Sequence, residues 1–183
     1  MNKILFEKQY NEDNGYISSI IRNGILAGII AGIFFIIAEM AIAGLSQNGT
    51  FIGPLKMIAG IPLQQAPGTI TNGEALMFGL SFHMIYSIAL GIIAAFLATI
   101  PICRSSPACL IVLGMFFGTF IWLINFYVLA PAINAPWFGG ANPLTQFLLH
   151  TFLFGMILGI YFASVHFKVP SVPSLYWKIK GSR

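Results

Sequence analysis

Charge is what this sequence lacks. Only 8% of its 183 residues are Asp, Glu, Lys or Arg, against roughly 25% in ordinary soluble domains. A soluble protein of this length has too much surface to cover with so few charges, whereas a lipid-facing protein has no such need. Histidine and cysteine are also scarce, at three and two residues. No Ser–His–Asp set, cysteine nucleophile or paired-carboxylate site can be assembled from what is present. On this reading the chain is not an enzyme on its own. The glycine pairs follow no strand, so they are packing devices and not phosphate loops.

The net charge of +4 does not point to nucleic acid. Lys3, Lys8, Arg22, Arg104, Lys168, Lys178, Lys180 and Arg183 stand at the ends of hydrophobic runs, as topology signals do, and form no phosphate-binding stripe. Cys103 and Cys109 have no zinc-site spacing. In a turn expected to face the reducing cytoplasm they read as two free thiols.

Apolar residues are abundant, at 57%. Four stretches, about 23–45, 75–99, 108–130 and 144–166, reach the roughly 20 residues that a helix needs to cross a bilayer. The expected fold is therefore all-α: one transmembrane four-helix bundle over residues 1–183, with an outer loop 46–74 and a cytoplasmic tail 167–183. The first stretch follows the polar segment NEDNGYISSIIRN, lacks a small-residue cleavage site and reads as an uncleaved anchor. Basic residues collect in the N-terminal segment, the 100–107 turn and the tail. Loop 46–74 holds Lys56 as its only basic residue, and loop 131–143 holds no charge. The positive-inside rule then puts both termini in the cytoplasm. Trp137, Phe138, Tyr176 and Trp177 sit where interfacial aromatics belong, and Pro170 and Pro173 stop the last helix.

An internal repeat organises the bundle. GIIAGIFFIIAEM in the first span aligns with GMFFGTFIWLINF in the third, so that Gly28, Gly32 and Glu39 match Gly114, Gly118 and Asn125, 86 residues apart each time. Both spans run in the same direction, which makes this a parallel repeat of helix pairs. The second members carry one histidine each, His83 in GLSFHMIYS and His150 in QFLLHTFLF. At 1.5 Å per residue, Glu39 and Asn125 lie about 9 Å and the histidines about 10–14 Å below the same boundary. Four polar side chains, one per helix, thus share a layer in the outer half, with the histidines on one diagonal and Glu39 and Asn125 on the other. Glycines at the inner end let backbones approach closely. The bundle is expected to be pinched inside and open outside, with FIGPLKMIAGIPL folded back as a cover.

An ionisable group inside a span is a functional hypothesis by default, and Glu39 is the only acid within these stretches. A carboxylate with two histidines suits copper, iron or zinc, so Glu39, His83, Asn125 and His150 are candidate metal ligands. His83 and His150 are also candidate axial ligands of a haem b. Haem needs an apolar slot between them, and Glu39 and Asn125 would crowd it. The leading expectation is a small membrane subunit holding a metal or haem, attached to other membrane subunits of a larger respiratory or oxidase-type complex because the chain has no domain outside the bilayer to receive substrate or electrons. The alternative is a structural accessory subunit in which a protonated Glu39 bonds Asn125 or His83 and the polar layer only fixes register. A proton or small-solute carrier ranks last. Met40, Met77 and Met84 are potential soft ligands but better core fillers, and His166 reads as a helix-end residue.

WLINFYVLAPAINAPWF, the histidine of QFLLHTFLFGMILGIYFA, PLKMIAGIPL and FHMIYSIALG together resemble an uncharacterised family of small four-span bacterial membrane proteins, over about residues 25–166. The resemblance implies the four-span architecture and a bacterial inner membrane. It carries no activity.

Overall fold

In the computed structural model, which describes residues 3–46, 49–104 and 106–165, four apolar helices long enough to cross a membrane gather into a bundle. They run over Asn14–Leu45, Asn72–Ala98, Pro107–Ala132 and Pro143–Ser164, within a few residues of the expected spans except at the first start. There the polar segment does not stand apart, because one helix continues from Lys3 to Leu45. Its 43 residues extend about 65 Å, roughly twice the hydrocarbon thickness of a bilayer. The expectations for the tail and for His166 lie outside the described residues.

Local chemistry sets the helix starts. Thr71 and Glu74 form a reciprocal capping box at the second span. Ser106 caps the third through the Cys109 amide, and Asn142 caps the fourth through the Thr145 amide. Each of these last two is followed by a proline at the first helical position, where the missing N–H costs nothing.

Packing is pairwise. The first span crosses the second, the third crosses the fourth, the first also lies along the fourth, and the second and third barely meet. The repeated glycines explain the two tight crossings. A Cβ on Gly24 would lie 2.6 Å from the Ile92 Cα, and one on Gly91 would lie 2.6 Å from the Gly28 Cα. In the second pair, a Cβ on Gly114 would lie 2.9 Å from the Gly159 Cα, and one on Gly155 would lie 3.0 Å from the Gly118 Cα. Backbone therefore touches backbone at corresponding levels of both pairs. Without a hydrophobic drive between helices in lipid, such close approach is what holds them together.

The cover expected from FIGPLKMIAGIPL is present. A roof helix, Gly53–Leu63, lies across the bundle end formed by the 46–71 and 133–142 loops, here termed the loop end. Leu55 and Ala59 bury fully against Ile36, Ile70 and Ala75, a small core separate from that of the bundle. The roof helix ends at Gln64 in the left-handed conformation, φ 52°.

The thiol expectation is corrected. Cys103 and Cys109 are joined in a disulfide, with their Cα atoms 5.0 Å apart. The short helix Pro101–Arg104 and the immediate restart at Pro107 fold the two residues onto each other. Spacing along the chain does not reveal that reversal.

Candidate functional site

Below the roof helix the four spans diverge around a cavity of about 300 Å³. Each span contributes a short stripe at helical spacing: Phe35 and Glu39; His83, Tyr86, Ser87 and Leu90; Ile121, Asn125 and Leu129; Gln146, His150 and Phe154. Residues three and four apart share a helix face, so each stripe points inward as a unit. All four residues singled out from the sequence line this one cavity, as their matched depth predicts. Its remaining wall is mainly apolar, including Met57, Ile58 and Ile61 of the roof, and among the described residues no Lys or Arg lines it.

Hydrogen bonds tie the polar residues of the cavity together across helices. The Gln146 amide donates to Glu39 Oε1 at 2.8 Å. His150 Nδ1 lies 2.8 Å from the Gln146 carbonyl, which can only accept, so the proton sits on Nδ1. His150 Nε2 then accepts from the Asn125 amide at 3.4 Å. Asn125 Oδ1 accepts from the Tyr86 hydroxyl at 2.7 Å. His83 Nε2 donates to the Gly32 carbonyl at 2.9 Å, which carries the connection back to the first span. Together these bonds involve all four helices. Among the described residues, the second carboxylate oxygen of half-buried, cavity-lining Glu39 has no hydrogen-bond partner.

Two details differ from the expected layer. Glu39 pairs with Gln146, not with Asn125 or His83, because the first and fourth spans are neighbours and Gln146 lies one turn above His150. The histidines do not simply face each other either. The Phe35 ring packs against both, with centroids 5.7 Å from His83 and 4.7 Å from His150. Gln146, Tyr86 and Phe35 are the site residues that sequence reasoning missed. Gln146 is four residues before His150 and Tyr86 three after His83, so same-face spacing was the signal that would have found them. Met40 packs under the roof helix, and Met40, Met77 and Met84 all lie off the cavity wall.

Backbone irregularity gathers at the same level. Widened π turns occur at Ala75–Gly79, Ile124–Leu129 and Leu149–Gly155, and the last two contain Asn125 and His150. Such turns rotate the following side chains relative to a regular helix and recur at functional sites. The turn at Ile124–Leu129 also lies just before Pro131, which the third helix accommodates without ending.

Among the described residues, no three His, Cys, Asp or Glu side chains are grouped closely enough to hold a metal ion. Compared with protein-family models, curated proteins and solved structures, the chain matches none.

Proposed function

We propose that this integral membrane protein is a binding protein that lodges a small, largely apolar molecule in the loop-end cavity and fixes its polar end on the Glu39–Gln146 and His150–Asn125–Tyr86 groups. The carrying observation is the cavity itself: about 300 Å³ inside the bundle, apolar for most of its wall. A space of about 150 Å³ lined by apolar side chains is enough to bind benzene. Ligand sites typically combine an apolar surround with a few convergent polar groups, and four helices supply such groups here. The competing reading is structural, with the network acting as interhelical glue, and the satisfied hydrogen bonds favour it. A metal or haem on His83, His150, Glu39 and Asn125 draws support from their convergence, but His83 and His150 would first have to give up their present partners. Membership of a respiratory or oxidase-type complex rests on chain size alone.

One experiment separates these readings. Protein purified in mild detergent is assayed by native mass spectrometry, solvent extraction, metal analysis and visible absorption. About one organic molecule per chain is expected, and Ala130→Phe should displace it while leaving Tm unchanged or higher. Ala130 is buried on the cavity wall, and a phenyl group there takes up about half of the space. Stoichiometric metal or a Soret band would overturn the proposal in favour of the cofactor reading. An empty wild-type protein would leave the structural one.

The basic residues Lys3, Lys8, Arg22 and Arg104 support cytoplasmic termini, with a bacterial inner membrane resting on the family resemblance, whereas a disulfide in the turn beside Arg104 favours an oxidising compartment. We give the basic residues more weight, since four of them agree. With Cys103 and Cys109 replaced by serine, an impermeant maleimide applied to cells should label Gly139→Cys and not Asn2→Cys. The reverse pattern would invert the topology.

A further inference from the structure

We propose that the cavity fills sideways from the bilayer, through a slot between the second and third spans latched by the Tyr86–Asn125 hydrogen bond. The ligand is then a neutral, membrane-dissolved ring compound carrying a carbonyl or hydroxyl oxygen. This inference rests on the binding reading above and adds the route and the ligand class.

The other seams of the bundle are closed. Backbone contacts at glycine seal the first span against the second and the third against the fourth. The first and fourth are joined by the Gln146–Glu39 hydrogen bond, by the Tyr161–Asn23 hydrogen bond and by Phe35 packing on His150 and Phe154. The roof is tied down as well. Trp137 Nε1–H donates to the Met57 carbonyl at 3.0 Å, and its ring lies so close over Gly60 that a Cβ there would sit 2.9 Å from it. Leu90, Phe117, Ile121 and Leu158 belong to the buried core beneath the cavity.

Between the second and third spans, by contrast, the Tyr86–Asn125 bond is the only hydrogen bond recorded among the described residues. Side chains on both edges are at once cavity wall and molecular surface: Phe82 and Tyr86 are partly exposed, and Leu129 is 37% exposed. Phe82 stacks on Tyr86, with centroids 6.5 Å apart, so the second-span edge is a pair of parallel rings that can slide as one. Each edge helix also carries a π turn, Ala75–Gly79 on one side and Ile124–Leu129 on the other.

The latch selects the ligand. Opening it frees a phenol O–H and an amide carbonyl inside an apolar wall, where an unpaired polar group is costly. A ligand oxygen that accepts from Tyr86 restores the donor's side of the broken bond, and a ligand hydroxyl can in addition donate to the Asn125 carbonyl, which lowers the cost of entry. Anions are disfavoured, because neither the lipid nor the described wall residues, which include no Lys or Arg, compensate their desolvation. The volume, about twice that of a benzene-binding cavity, fits a two-ring compound.

Binding of 1-tetralone, a neutral bicyclic ketone, is followed in proteoliposomes by stopped-flow quenching of tryptophan fluorescence. Tyr86→Phe should speed association and release about fivefold, the factor that one net hydrogen bond carries. In a Cys103→Ser, Cys109→Ser background, bridging Phe82→Cys to Leu129→Cys with a short bis-maleimide should slow association about tenfold or more against the unbridged protein. If bridging has no effect while Trp137→Ala speeds association, entry is through the roof and the lateral slot is overturned, with the binding reading intact. If 1-tetralone fails to bind wild-type protein that retains its own extracted molecule, the ligand class is overturned instead.

Discussion

Gly91→Leu is expected to abolish the folded bundle: in mild detergent the variant should elute as aggregate, without the cooperative thermal transition of the wild type. A Cβ at residue 91 would already lie 2.6 Å from both the N and the Cα of Gly28, and leucine adds three more carbons. Ordinary overpacking costs about 1–3 kcal/mol because side chains can shift, but here the obstruction is backbone. Separating the helices forfeits the close crossing along its whole length. The cost then approaches the total stability of a typical protein, about 5–15 kcal/mol. Gly155→Leu should do the same to the other helix pair, where a Cβ would lie 3.0 Å from the Gly118 Cα. Gly73→Ala is the control, since nothing lies within 4 Å of a Cβ at that position. A monodisperse Gly91→Leu protein with wild-type Tm would refute the account of the glycine crossings.

Asn125→Leu should have the next largest effect, and on two readouts at once. Asn125 accepts from the Tyr86 hydroxyl and donates to His150 Nε2, so leucine of similar volume leaves both groups without partners. Each buried orphan costs about 1–3 kcal/mol, and two together should lower Tm by roughly 5–15 °C at this chain length. The bound molecule should be lost with it, because the network that presents Tyr86 and His150 to the cavity is cut in the middle. Gln146→Leu offers a graded comparison, since it removes the Glu39 partner while its backbone carbonyl still accepts from His150. An Asn125→Leu protein with unchanged Tm would show that the two hydrogen bonds of Asn125 contribute nothing to the bundle. Loss of Tm with full retention of the bound molecule would separate glue from site and favour the structural reading of this residue.

Much of this molecule was legible residue by residue. The four spans follow from apolar runs bounded by Pro, Asn and Ser, because a chain in lipid must satisfy its own backbone by forming helices. The repeat of Gly28, Gly32 and Glu39 in Gly114, Gly118 and Asn125 correctly located the two crossings and two members of the polar layer. Depth arithmetic at 1.5 Å per residue then brought His83 and His150 to the same wall. The cover was readable from the apolar character of residues 51–63, which has no place in a solvated loop.

The sequence by itself therefore determined which segments become helices, which faces turn inward and that the polar groups converge at one level of the bundle. These depend on hydrophobicity and on fixed helical spacing, both of which are local properties. Tertiary structure alone decided which polar group meets which. The partner of Glu39 depends on the first and fourth spans being neighbours, and the Cys103–Cys109 pairing depends on a chain reversal within six residues. The π turns at Asn125 and His150 likewise depend on how facing helices mesh, since no propensity in these stretches specifies a widened turn. The weak seam between the second and third spans was hidden for the same reason. Glycine spacing shows where a helix can be approached closely, but which neighbour approaches is settled by the packing of all four helices at once.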